Sequence, residues 1–178
     1  MAAQTSDAKQ VDYRVITRVG SFVDRDSWAT EGMRCSIEQA LDLVGTRSAM
    51  ILLREAFSGV RRFDELVRRA GLSDSVAAKR LKELVEHGLF TQEPYRHSGS
   101  RTRYEYVLTE RGRALFPVMV ALMNWGDELD DGTGVVDLFH ADCGAPVSSV
   151  LRCAAGHDVS LSDTCARQKQ QGRETDRS

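Results

Sequence analysis

The chain has 178 residues, 42% apolar and 28% charged, with a formal net charge of −2, a balance that suits a packed domain with flanking segments and excludes a fibrous or wholly disordered chain. No apolar run approaches the roughly 18 residues of a membrane-spanning helix. The opening residues, MAAQTSDAKQ, are polar and hold no apolar signal region, so a cytoplasmic location is expected.

Residues 1–34 read as a polar N-terminal arm. Val11, Tyr13, Val15 and Val19 alternate with polar residues, as in a short strand. An arm laid on a partner subunit fits the same stretch, and Phe22 and Trp28 are apolar enough to ask for docking. A short helix begins at Ser36, with Ile37, Ala40, Leu41 and Val44 on one side and Gly45 as its stop. The next helix runs from about Arg47 to Phe57. Its SAMILL run marks it as the core helix, interrupted mainly by Arg54 and Glu55. In RRFDELVRRAG, Phe63, Leu66, Val67 and Ala70 share one face of a third helix.

The stretch 71–88, GLSDSVAAKRLKELVEHG, follows. Ser73 is a good N-cap, because its hydroxyl can accept from a free first-turn N–H. Ala77, Leu81, Leu84 and Val85 recur at the spacing of one helical face. The other side carries Ser75, Ala78, Lys79 and Lys82, small or basic. Gly88 stops the helix. Two strands follow, LFTQEPYR and RYEYVLT, with Pro94 suited to an edge. The turn between them, HSGSRT, is small and basic, the tip of a wing. Thr109 and Glu110 then cap a long helix that is apolar almost all round, from Ala114 and Leu115 to Trp125. A domain this small has too little core to bury such a helix, so a second subunit is expected to cover it, and Pro117 is expected to bend it. Residues 130–166 read as a small irregular or β C-terminal extension, and residues 167–178 as a disordered tail.

Helix, turn, capped helix, strand, basic turn and strand is the order of a winged helix-turn-helix. The fold class expected is mainly α (α+β): a winged helix-turn-helix over residues 35–129, with a dimerisation helix and the small extension. Charge agrees with a phosphate partner. Residues 60–103 hold ten Lys/Arg against six Asp/Glu, a net +4, whereas residues 127–178 hold five against ten, a net −5. The helix from Ser73 is then a recognition helix for the major groove. Its alternative is an ordinary amphipathic helix with a solvated basic face. The expected DNA contacts are Arg61, Arg62, Ser73, Ser75, Ala78, Lys79, Arg80 and Lys82 from the helix pair, and Arg96, His97, Ser98, Arg101 and Arg103 from the wing. Ser75 and Lys79 are read as base contacts, Arg80 and Lys82 as phosphate contacts.

Other residues are weighed against plainer readings. Cys35 reads as a small buried apolar residue at a helix start. Its competitor is a redox or electrophile sensor, since a helix N-terminus favours thiolate. His140, Cys143, Cys153 and His157 have the spacing H-x2-C and C-x3-H. With no CxxC pair, a metal-free module is preferred over a zinc site, and no cofactor is expected. No phosphate loop, HExxH or nucleophile elbow is present, so no enzymatic activity is expected.

The blocks CSIEQALDLVG, LLREAFSGVRRFDEL, AAKRLKELVEHGLF and YVLTERGRALFPVMVALMNWGDEL together resemble the HxlR-type winged-helix transcriptional regulators, relatives of the MarR group. The resemblance covers residues 35–129. It implies a bacterial repressor or activator that binds a roughly palindromic operator in double-stranded DNA. It also implies a homodimer formed by the first and last helices, here Ile37 and Leu41 with Leu115, Val118, Met119, Leu122, Met123 and Trp125. Some members sense oxidants or electrophiles through a cysteine matching Cys35, which leaves an oxidant or small-molecule effector open here. Ser48 stands where many members carry tryptophan, and Gly156 where some carry a second knuckle cysteine. A winged-helix module that holds a protein partner instead of DNA is the remaining alternative.

Overall fold

The computed structural model describes residues 16–20, 34–95, 103–129, 132 and 134–168. It divides into two compact units, Arg34–Ser149 and, separately, Met1–Met33 with Val150–Ser178. The expectations at Val11, Tyr13, Val15, Phe22 and Trp28, at the wing tip (Arg96, His97, Ser98 and Arg101) and beyond residue 168 lie outside the described residues.

The larger unit opens with α1 (Ser36–Val44) and α2 (Arg47–Phe57), then α3 (Phe63–Ala70) and α4 (Asp74–Glu86). The Thr46 hydroxyl caps α2 by accepting from the Ala49 N–H at 3.2 Å. α3 lacks a side-chain cap. Asp64 and Glu65 in its first turn and Arg68 and Arg69 in its last complement the helix dipole instead. Gly71 ends it at φ +62°, a left-handed conformation that costs glycine little, and so sets the sharp turn into α4.

The α2 register decides the core. Ala49, Leu52 and Leu53 are fully buried against Leu66, Leu81, Leu84, Leu89 and Phe90. Each buried leucine stabilises the unit by roughly 1.5–3 kcal/mol relative to an exposed one. The strands β2 (Phe90–Tyr95) and β3 (Arg103–Leu108) pair antiparallel, Phe90 opposite Leu108 and Tyr95 opposite Arg103. Arg62 adds an edge to this sheet through a bridge to Glu105, and the Tyr106 N–H donates to the Arg61 carbonyl at 2.8 Å. The wing is therefore fastened to the start of α3. Its other end is fastened at Thr109, whose hydroxyl donates to the Gly88 carbonyl at 2.6 Å and accepts from the Gly112 N–H at 3.1 Å. A Cβ at Gly112 would stand 2.2 Å from the Leu89 carbonyl oxygen, so only glycine fits.

The long helix expected after Thr109 is two helices, α5 (Glu110–Arg113) and α6 (Phe116–Leu129). Pro117 does not bend a continuous helix. It sits second in α6, in the first turn, where the missing N–H leaves no bond unmade. Residues 139–146 form a turn closed by a bridge between Phe139 and Pro146, and the Ser149 N–H donates to Asn124 Oδ1 of α6 at 2.8 Å.

In the smaller unit, β1 (Thr17–Arg18) pairs parallel with β4 (Cys165–Ala166), and a bridge joins Arg152 to Asp158. No helix among the described residues is long and apolar enough to cross a membrane.

Candidate nucleic-acid interface

α4 presents two contrasting sides. Ala77, Leu81 and Leu84 are fully buried, while Ser75, Val76, Ala78, Lys79, Lys82 and Glu86 are exposed. The Ser73 hydroxyl accepts from the Val76 N–H at 3.4 Å and lies 3.2 Å from the Ser75 hydroxyl, which orders the exposed first turn. The polar side foreseen from spacing therefore faces solvent, with Lys79 free to extend from its centre. Lys82 lies 3.7 Å from Glu86 one turn on, a pair exposed on both sides and worth little.

Arg80 departs from its expected place as a solvent-facing phosphate contact. Its side chain is only 20% exposed, its guanidinium is paired with Glu83 at 2.5 Å, and its Nε is buried without a partner. It lies one turn after Ala77 and next to Leu81, at the edge of the buried stripe, so its stem packs inward. Arg62 is likewise engaged: its Nε lies 3.7 Å from Glu105, and its guanidinium stands 5.1 Å over the Tyr95 ring. It braces the wing. Arg61 and Arg103 are exposed, on the segment before α3 and at the start of β3.

A buried carboxylate sets how α2 and α3 sit together. Glu55 is 4% exposed. One oxygen accepts from Arg54 Nε and Nη2 at 2.9 and 2.5 Å, and the other from Arg69 Nε at 2.7 Å. Burial raises the Glu55 pKa, but the hydrogen bonds and charges of Arg69 and Arg54 outweigh it and hold the carboxyl below its ordinary value. The hydrogen bond from Glu55 raises the pKa of Arg69 in turn. Composition marked Glu55 only as an interruption in an apolar run. Its i+14 partner lies beyond any helical spacing rule.

Apolar side chains are also exposed on the first and last helices of the unit. Ile37 (69%) and Leu41 (57%) of α1, and Val118, Leu122, Trp125 and Leu129 of α6, lie open to solvent. Two expected members of this set face elsewhere. Met119 is buried and Leu115 packs against the core, because α6 must also cover its own domain. Met123 is half-buried. Phe116 and Leu129, exposed at the two ends of α6, were not in the expected set.

Cys35 is the half-buried N-cap residue of α1, with no hydrogen bond from its side chain to the helix. His140 Nδ1 lies 3.3 Å from Cys143 Sγ, and Cys153 Sγ lies 3.7 Å from His157 Nδ1. Among the described residues, no group of three or more His, Cys, Asp or Glu side chains is placed to hold a metal ion.

The model of the HxlR-like helix-turn-helix family matches residues 43–132. An uncharacterized HTH-type transcriptional regulator of Mycobacterium tuberculosis is 47% identical over 120 residues, covering 66% of this chain and 75% of that protein. The crystal structure of the candidate transcription factor PA1607 superposes with a TM-score of 0.68 at 35% identity, covering 79% of this chain and 99% of that one. A second candidate transcription factor, PA1374 of Pseudomonas aeruginosa, gives 0.56 at 31% identity, covering 79% and 96%.

Proposed function

As this chain belongs to the HxlR-like helix-turn-helix family, whose relatives are named transcriptional regulators, we propose that it binds double-stranded DNA sequence-specifically, as a homodimer in the cytoplasm, and represses transcription by occupying its operator. Residues 35–129 are the DNA-binding domain in this reading, and residues 1–34 and 130–166 are accessory segments. The observation that carries it is the two-sided α4, apolar stripe fully buried and Ser75, Lys79 and Lys82 exposed beyond an ordered N-cap. A helix so mounted offers its first turns to base edges in the major groove. Arg61 and Arg103 are exposed and suit phosphate contacts, a role the reading also gives to the basic residues Arg96 and Arg101 of the sequence between the strands.

Dimerisation is supported by the open apolar side chains of α1 and α6, Leu41, Leu122 and Trp125 among them. Large apolar side chains left open on a small domain suit association with a second copy. A two-fold pair places two recognition helices on half-sites about one helical turn apart.

The test is selection of bound duplexes from a random pool with the full chain. A roughly palindromic consensus is expected, bound with an affinity that falls steeply as salt rises. Recovery of no consensus, with no salt-dependent duplex affinity, overturns the reading in favour of a protein-interaction module.

A further inference from the structure

Val76 is the one apolar side chain larger than alanine on the open side of α4. It is 45% exposed, whereas Leu81 and Leu84 are fully buried. It is the third residue of the helix, and its N–H is the one that the Ser73 hydroxyl accepts, so its backbone is held in place. Ser75 precedes it and Lys79 follows one turn on, both exposed. Valine is a poorer helix former than alanine, and at this position little burial compensates. A scattered surface valine needs no explanation elsewhere, but here it stands in the turn that a groove-docking helix turns toward base edges.

The major groove carries one apolar feature, the thymine C5-methyl group, and it is recognised by apolar contact. The Ser75 hydroxyl and the Lys79 ammonium can pair with groove acceptors, but neither senses a methyl. We infer that Val76 packs on a thymine methyl in each half-site and is therefore a specificity-determining residue. The inference rests on the DNA-binding reading above. It assigns a base class to a position outside the expected contact set, because Val76 belongs to neither the small-and-basic side nor the Ala77–Leu81–Leu84 stripe.

The experiment uses the full chain and a duplex recovered by selection. Each thymine in turn is replaced by deoxyuridine, which removes only the C5-methyl. One symmetry-related pair of thymines is expected to be sensitive, with binding weakened about 4-fold per methyl lost and about 15-fold for both. Val76→Ala is expected to bind the thymine and deoxyuridine duplexes equally, and Val76→Ile to keep the preference. Discrimination that persists in Val76→Ala, or a wild-type protein indifferent to every replacement, overturns this assignment while leaving salt-dependent DNA binding intact. Absence of salt-dependent duplex binding in the wild type overturns the DNA reading itself, and this inference with it.

Discussion

Replacing Glu55 by glutamine tests how the helix-turn-helix is anchored. The side chain keeps its shape but loses the charge that three guanidinium N–H groups, two from Arg54 and one from Arg69, converge upon. Removing one partner of a fully buried ion pair costs about 3–5 kcal/mol. Here the two arginine side chains are 50% and 42% exposed and rehydrate when the charge goes, so the loss is smaller, about 1.5–2 kcal/mol, the low end of the scale of hydrogen bonds to charged groups. For a domain of this size that lowers Tm by roughly 5–15 °C. Every described helix lies within residues 36–129, so the far-ultraviolet circular dichroism of a urea or thermal melt reports this unit. pH gives an independent check. The folded pKa of Glu55 lies below the ordinary 4.5, so its contribution is fully present above that value and is lost as pH falls through the lowered one. Wild type is expected to lose stability over that acid range more steeply than Glu55→Gln. A variant within about 0.5 kcal/mol of wild type with the same acid slope refutes the clamp.

Gly112→Ala drives a Cβ against the Leu89 carbonyl and is expected to destabilise by about 1–3 kcal/mol in the same melts, with no gain from improved helix propensity. Trp125→Asp places a charge on the open face of α6 and is expected to shift the chain from dimer to monomer in light scattering, weakening operator binding without lowering helix content. Cys35→Ser is expected to leave DNA affinity, and any response of that affinity to oxidant, unchanged, as measured by binding before and after oxidant treatment. Loss of an oxidant response in the serine variant assigns Cys35 a sensing role.

Much of this arrangement follows from local rules. The Ala77, Leu81 and Leu84 stripe, the Ser73 cap and the Gly71 turn each act within a few residues, and so α4 and its exposed side were legible from spacing. What local rules left out is set by tertiary contacts or by competition between near neighbours. Arg80 looked like a free cation, yet it sits at the edge of the buried stripe with Glu83 within reach, and the pair withdraws it from the surface. Met119 belonged to an apolar helix with no visible division of labour. Only the packing of α6 on its own domain separates it from Leu122 and Trp125. Pro117 bends a helix only if that helix runs on from Thr109; the chain breaks before Phe116 instead, which puts the proline in a first turn. The pairing of Thr17 with Cys165 joins residues from opposite ends of the chain, which no short-range pattern encodes.

The most direct measurement of the proposed role of α4 is the salt dependence of operator binding for the wild type, Lys79→Ala and Arg80→Ala. Lys79 is exposed and Arg80 is occupied by Glu83. Lys79→Ala is expected to weaken operator binding, as loss of a base contact does, whereas Arg80→Ala is expected to leave both the affinity and the slope of log K against log salt unchanged. Wild-type affinity retained by Lys79→Ala, or a slope reduced by Arg80→Ala alone, contradicts the outward placement of this helix face on the duplex.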